Sequence, residues 1–289
     1  MTDQSSTEPA AFVDAHHHVW DLGVRDQPWT AALAPLRRSF GIADLRPSLE
    51  GAGVGTTVLV QTITVPEETP ELLALAVAEP LVAGVVGWVR LDSPGITDSL
   101  AELRELPGGQ ALVGIRHQVQ QEPDPRWLCR PQVRAGLAAV GAAGLAYDLL
   151  VTADQLPAAI ETVRALPEVR FVLDHAGNPP VDPAAEAGWR RDVAVLAEAE
   201  NTTVKLSGLL TRAYPGPLPA QWLRSWVDEL LSGFGPHRMM FGSDWPVCTL
   251  TSSYGDVFRT AREATAALSA AEQRALFAGT ATLFYGLSV

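Results

Sequence analysis

The segment Phe12-Val13-Asp14-Ala15-His16-His17-His18 decides how the rest of the chain is read. Phe12 and Val13 enter as strand residues, and side chains on a strand alternate faces with period 2. Asp14, His16 and His18 then share one face, and His17 takes the other. Two imidazoles on one face at the end of a strand can bind a divalent metal or surround a polar substrate. A tag remnant would be a longer histidine run without the apolar lead-in.

Outward from this segment, short β-branched runs alternate with Ala/Leu/Glu-rich helical stretches. Strands are expected at 12–16, 55–61, 82–91, 111–116, 145–150, 169–175, 202–207 and 238–242. Helices are expected near 42–51, 67–78, 97–106, 130–143, 153–166, 189–200 and 220–234, with closing helices near 254–267 and 270–283. Strands separated by helical crossovers pair in parallel with right-handed connections. The runs are almost continuously apolar, as in strands covered on both faces. Eight of them fit a single α/β (β/α)8 TIM barrel better than an open doubly wound sheet. No Gly-x-Gly-x-x-Gly follows the first strand, against a dinucleotide-binding fold. Residues 1–11 read as a polar tail and 12–289 as the barrel.

The composition of the 289 residues, 47% hydrophobic and 19% charged, is that of a globular chain. A net charge of −12 argues against nucleic-acid binding, which calls for a clustered basic face. Cys129 and Cys248 have no metal-type spacing. The amino-terminal residues lack a basic start and apolar run, and no apolar run is long enough to span a bilayer, so a cytoplasmic location without a membrane partner is expected. A homodimer is one open state.

Polar residues at the carboxyl ends of barrel strands are the candidates for chemistry. They are His16 and His18 on strand 1, Gln61 on strand 2, and Arg116-His117-Gln118 on strand 4. Asp174-His175 follows on strand 6, Lys205 and Ser207 on strand 7, and Ser243-Asp244-Trp245 on strand 8. Plainer roles compete: His175 as a strand cap, Asp244 as a helix cap, Arg116 as ion-pair partner of Asp92 or Asp148. Asp174-His175-Ala176-Gly177 favours an imidazole at the rim, because glycine lets the loop turn away. Pro246 stops strand 8 just after Asp244. Lys205 is the sole lysine, and a buried lysine is costly unless it pairs or does chemistry, so an anionic or carbonyl partner is expected.

In this order the residues resemble the amidohydrolase superfamily, and most closely its L-fuconolactonase-like and 2-pyrone-4,6-dicarboxylate lactonase-like branch. The likeness is carried by 14–20 (Asp-Ala-His-His-His-Val-Trp), Gln27-Pro28-Trp29, 58–61, 85–89 and Gly114-Ile115-Arg116-His117. It continues through 173–177, Val204-Lys205-Leu206-Ser207-Gly208 and 240–246 (Met-Phe-Gly-Ser-Asp-Trp-Pro). The resemblance implies a barrel in which Asp244 is the base toward water, while His16, His18 and His175 hold a metal or polarise the carbonyl directly. Strand 4 has no lysine to carbamylate, and strand 5, Ala146-Tyr147-Asp148, offers no histidine, so a binuclear centre is not expected. One divalent ion, zinc first, on His16, His18, His175 and Asp244 stands beside metal-free catalysis. Asn178 stands where many relatives have lysine.

The implied activity is opening of a sugar-derived lactone, such as L-fucono- or L-rhamnono-lactone, to its hydroxy acid. Arg116, His117 and Lys205 are expected to stabilise the oxyanion, and Trp29, Gln61 and Trp245 to line the sugar. A metal-dependent decarboxylase of aromatic acids and a catalytically silent binding barrel are the alternative classes.

Overall fold

The computed structural model describes residues 12–288, so the expected amino-terminal tail at 1–11 lies outside the described residues. Eight parallel strands form one sheet in the order of the chain. They are β1 (Phe12–His17), β2 (Val54–Val60), β3 (Val82–Gly87), β4 (Leu112–His117), β5 (Ala146–Leu149), β6 (Phe171–Leu173), β7 (Thr202–Leu206) and β8 (Met239–Phe241). The cylinder closes just beyond β8, where the His18 amide donates to the Trp245 carbonyl (2.7 Å) and the Asp244 amide to that of His16 (2.8 Å). The crossover helices are α1 (Ile42–Ala52), α2 (Glu68–Ala78), α3 (Ile96–Glu105), α4 (Pro131–Ala142), α5 (Leu156–Ala165), α6 (Pro183–Ala197) and α7 (Ala220–Phe234). After β8 come α8 (Tyr254–Ala264), α9 (Ala270–Arg274) and α10 (Thr280–Tyr285). This is the expected (β/α)8 barrel. Among the described residues no helix is long and apolar enough to cross a membrane.

Alternation along the strands sorts two apolar layers. Leu59, Val85, Ile115, Tyr147, Leu149, Phe171, Val204 and Phe241 face the helices in the larger core. Val13, Ala15, Val58, Val86, Val172 and Met240 fill the barrel's lower interior, where Ala281, Tyr285 and Leu287 plug it from below. A π-turn at Ala275–Gly279 splits the closing helix expected at 270–283. It keeps Leu276 and Phe277 in the outer core while sending Ala281 and Tyr285 inward.

Strand β3 stops at Gly87 rather than Leu91, because a threonine side chain replaces the ladder. The Trp88 amide donates to Thr69 Oγ1 (2.8 Å), whose hydroxyl donates back to the Trp88 carbonyl (3.0 Å). Helix α6 begins six residues before the expected Trp189, at Pro183. The Asp182 carboxylate caps it by accepting from the Ala184 amide at 3.0 Å, an Asp-Pro start of ordinary type.

Candidate active site

Strand β1 has a register irregularity between Asp14 and His17, and this resets the alternation assumed from sequence. His16 and His18 come together, with Nε2 atoms 3.2 Å apart, but Asp14 does not join them. Its carboxylate accepts from the amides of His16 (3.1 Å) and Ser243 (2.8 Å), tying β1 to the segment after β8. His17 leaves on the other side, its Nε2 2.9 Å from Thr57 Oγ1.

Beyond β6 and β8 the backbone is left-handed at residues with side chains, namely His175 (φ 51°), Ala176 (φ 53°), Asn178 (φ 55°) and Asp244 (φ 56°). Such conformations persist only where the surroundings enforce them, and they concentrate at functional sites. Here they turn His175 and Asp244 toward the histidine pair. The His16 and His175 ring centroids are 4.6 Å apart. Asp244 Oδ1 lies 3.5 Å from His18 Nε2 and 3.8 Å from His16 Nε2. Ser207 Oγ lies 2.9 Å from His175 Nδ1.

Beneath this cluster the inward positions of four consecutive strands carry charge: Arg116 on β4, Asp148 on β5, Asp174 just after β6, Lys205 on β7. Arg116 Nη1 donates to Asp174 Oδ2 (3.0 Å) and lies 3.3 Å from His16 Nε2. Lys205 Nζ is 2.5 Å from Asp148 Oδ2, 3.1 Å from Asp174 Oδ1 and 3.2 Å from His16 Nδ1. Burial alone would raise the Asp174 carboxyl, but Lys205, His16 and Arg116 hold it well below the ordinary range. Burial pushes Asp244 upward against the lowering influence of His175 and Arg116. Burial also lowers His16, His18 and His175, the second to about 3, so all three rings are neutral near pH 7.

A cleft of about 190 Å3 opens above these groups, lined by His18, Trp29, Arg116, His175 and Asp244 together with Thr62, Gln118, Gln120, Gln121, Asn178, Thr211 and Arg212. Four residues expected to face substrate are elsewhere. Arg116 and His117 are neighbours on β4, so Arg116 points into the barrel and His117 out. There His117 stacks on Trp127 (4.3 Å), accepts from Trp88 Nε1 at Nδ1 (3.0 Å) and meets Glu122 at Nε2 (2.8 Å). Lys205 is fully buried under His16. Gln61 braces Arg116, whose Nη2 donates to the Gln61 carbonyl and to its Oε1 (3.1 Å). Trp245 sits edge-on to Phe40 in the core (5.5 Å). The partner of Arg116 is Asp174, rather than Asp92 or Asp148.

The reading by strand ends did not anticipate Arg212, which comes from the loop after β7. Its guanidinium donates to Asn178 Oδ1 (2.9 Å) and the Pro179 carbonyl (3.1 Å). Burial lowers it from the usual arginine range. No strand periodicity reaches such a residue; the one cue is an arginine a few positions past the polar end of β7.

Among the described residues two overlapping groups could hold a metal ion, His16–His18–Asp244 and His16–Asp174–His175, so the four ligands expected from sequence divide between triads sharing His16. The first triad fits zinc well. His18 Nδ1 is 2.7 Å from the Val60 carbonyl and so carries the proton, leaving the Nε2 lone pair directed at the cluster. Of the three donor separations, 3.2 and 3.5 Å are near the roughly 3.3–3.4 Å expected around a tetrahedral ion with bonds of about 2.0–2.1 Å, and the His16–Asp244 one, 3.8 Å, is wider.

The arrangement is that of a (β/α)8-barrel enzyme whose chemistry sits at the carboxyl ends of its strands. The chain belongs to the amidohydrolase family, whose model (Amidohydro_2, Amidohydrolase) matches residues 13–287. It is similar to the L-fucono-1,5-lactonase of Burkholderia multivorans, with 38% identity over 96% of this chain and 97% of the relative. The L-fucono-1,5-lactonase of Burkholderia ambifaria is also 38% identical, over 84% of this chain and 83% of its own. A crystal structure of an amidohydrolase from Burkholderia multivorans with bound zinc superposes with a TM-score of 0.91 at 36% identity, covering 96% of this chain and all (100%) of the other.

Proposed function

We propose that this chain hydrolyses a sugar-derived 1,5-lactone, of the L-fucono-1,5-lactone type, to its hydroxy acid. The observation that carries the reading is the convergence of His16 Nε2, His18 Nε2 and Asp244 Oδ1 within 3.8 Å at the mouth of the barrel. Its support from kinship is the 38% identity to two L-fucono-1,5-lactonases.

A divalent cation on His16, His18 and Asp244, zinc by the nitrogen-rich donor set, would acidify a water and polarise the ester carbonyl. Oδ1 of Asp244 faces the imidazoles, which leaves Oδ2 to accept the proton of the attacking water. Burial raises this carboxyl in the metal-free site, and a cation on Oδ1 would offset that rise. Protonated Asp244 then returns that proton to the ring oxygen as the ester opens. Arg116, fixed by Asp174 and Gln61, donates toward the developing oxyanion, a contribution of about 3 kcal/mol. Trp29 offers an apolar face to the sugar's C–H surface, and the Gln118, Gln120 and Asn178 amides hydrogen-bond its hydroxyls. Arg212 pairs with the carboxylate that forms on opening.

A panel of aldono-1,5- and 1,4-lactones, assayed by acid release with a pH indicator before and after chelation, tests this. Rapid acid release from a 6-deoxyhexono-1,5-lactone is expected. Carbon dioxide release from dihydroxybenzoates without lactone opening would replace the reading by a decarboxylase, and tight lactone binding without turnover by a binding protein.

A further inference from the structure

His16 stands between two sets of neighbours that want its proton on opposite nitrogens. Nδ1 faces a donor, Lys205 Nζ at 3.2 Å, and an acceptor, Asp174 Oδ1 at 3.4 Å. Nε2 faces another donor, Arg116 Nη1 at 3.3 Å, and another acceptor, His18 Nε2 at 3.2 Å. Lys205 with His18 suits the ring that carries its proton on Nε2. Asp174 with Arg116 suits the ring that carries it on Nδ1. Only the second leaves Nε2 a lone pair for an ion.

The lysine is held under the ring from below. Its ammonium hydrogen-bonds to Asp148 Oδ2 (2.5 Å) and His16 Nδ1 (3.2 Å), while Asp174 Oδ1 at 3.1 Å is an ion-pair partner that accepts no hydrogen bond. Asp148 in turn accepts from the Tyr285 hydroxyl, which lies 2.9 and 2.8 Å from its two oxygens. Tyr285 ends α10, the helix that plugs the barrel. A continuous buried stack therefore runs from the carboxyl-terminal plug through Asp148 and Lys205 to the imidazole. Nothing in the lactonase mechanism uses Lys205, Asp148 or Tyr285.

We propose that Lys205 is a positioning residue that holds His16 as the Nε2–H tautomer and thereby weakens metal binding, with Asp148 and Tyr285 setting how firmly the ammonium engages the ring. The inference rests on the reading of His16–His18–Asp244 as a metal site. An ion on Nε2 would require the ring proton on Nδ1, facing Asp174 Oδ1 at 3.4 Å, with the ring still neutral. The ammonium then spends its hydrogens on the two carboxylates.

The test is zinc affinity by competition with a chromophoric chelator, together with nitrogen-15 NMR of the histidine rings in the chelated protein, neither of which needs substrate. In zinc-free wild type, a neutral His16 protonated on Nε2 is expected. Lys205→Met should bind zinc about tenfold or more tightly, because it removes both the competing donor and a buried positive charge. Asp148→Asn should bind it more weakly, because the ammonium then turns further onto His16. A role in folding alone predicts weaker zinc binding for both variants, and charge alone predicts the opposite signs with a wild-type ring protonated on Nδ1, so the signs and the spectrum together are diagnostic. Should Lys205→Met fail to fold, Asp148→Asn and the wild-type spectrum still decide. A His16 protonated on Nδ1 without zinc, or unchanged or weaker affinity in folded Lys205→Met, overturns the inference and leaves the metal site standing. Wild type that binds no zinc overturns both.

Discussion

Asp244 holds a carboxyl above its ordinary range in a wall of neutral imidazoles, with burial as the main cause. Keeping it ionised near neutral pH therefore opposes folding while serving proton transfer. Asp244→Asn should lower kcat/KM about a thousandfold, within the span of general-base removal, while Tm of the chelated protein at pH 8 stays level or rises. Activity within tenfold of wild type would take this carboxylate out of the proton path. At this scale the sequence was legible where strand ends dictate position: His16, His18, Arg116, His175 and Asp244 all reach one cluster or its cleft. His117 was misread although the cue was present, since the inward Arg116 forces its neighbour outward. Lys205 illustrates a different gap. Its rarity announces a special role, but whether it meets substrate or sits beneath the ring depends on depth along β7, which pattern does not encode. Arg212 and Asn178 come from loops, and no period governs them.

The turn after β7 brings Gly208 against the turns after β6 and β8, so three separate segments are fixed by one missing side chain. A Cβ at Gly208 would lie 2.6 Å from His175 Nδ1 and 3.2 Å from Asp244 Oδ2, at a φ of +64°. Gly208→Ala should therefore lose about 1–2 kcal/mol of stability through the left-handed backbone. It should also lose about a hundredfold in kcat/KM through displacement of both side chains. Gly286 is the control: its backbone is left-handed (φ 67°, ψ 39°) with nothing within 4 Å of a Cβ. Gly286→Ala should show a similar stability loss with kcat/KM kept, and equal loss of activity in the two variants would refute the steric account. Elements were legible in number, type and order because each strand is a β-branched run and each crossover an amphipathic one. Their ends were less so, because side chains rather than propensity set them: Thr69 truncates β3, and Asp182 starts α6 early.

Across the whole molecule the barrel interior holds more ionisable groups than its apolar plug would suggest, so folding stability carries a pH signature. His17 gives the cleanest case, being fully buried and outside the cleft lining. Burial, reinforced by neighbouring His18, lowers it to about 3 from an ordinary value of 6.5. The unfolded chain takes up this proton below about 6.5, whereas the fold refuses it until about 3. Its stabilising contribution is therefore complete above pH 6.5 and is lost as pH falls through that window, at up to about 1.4 kcal/mol per pH unit. Asp14 and Asp148, raised to about 6 by burial, act with the opposite sign between 3.8 and 6. The wild-type curve alone thus mixes both. The difference between wild type and His17→Gln isolates the histidine. In chelated protein, the variant should be less stable at pH 8, because its amide meets Thr57 less well, and should lose stability less steeply below pH 6.5. The two unfolding curves, followed by urea titration from pH 8 to 4, should converge toward the acid end. Parallel curves would mean that His17 takes up its proton at the same pH in the fold as in the unfolded chain, so that burial does not lower it.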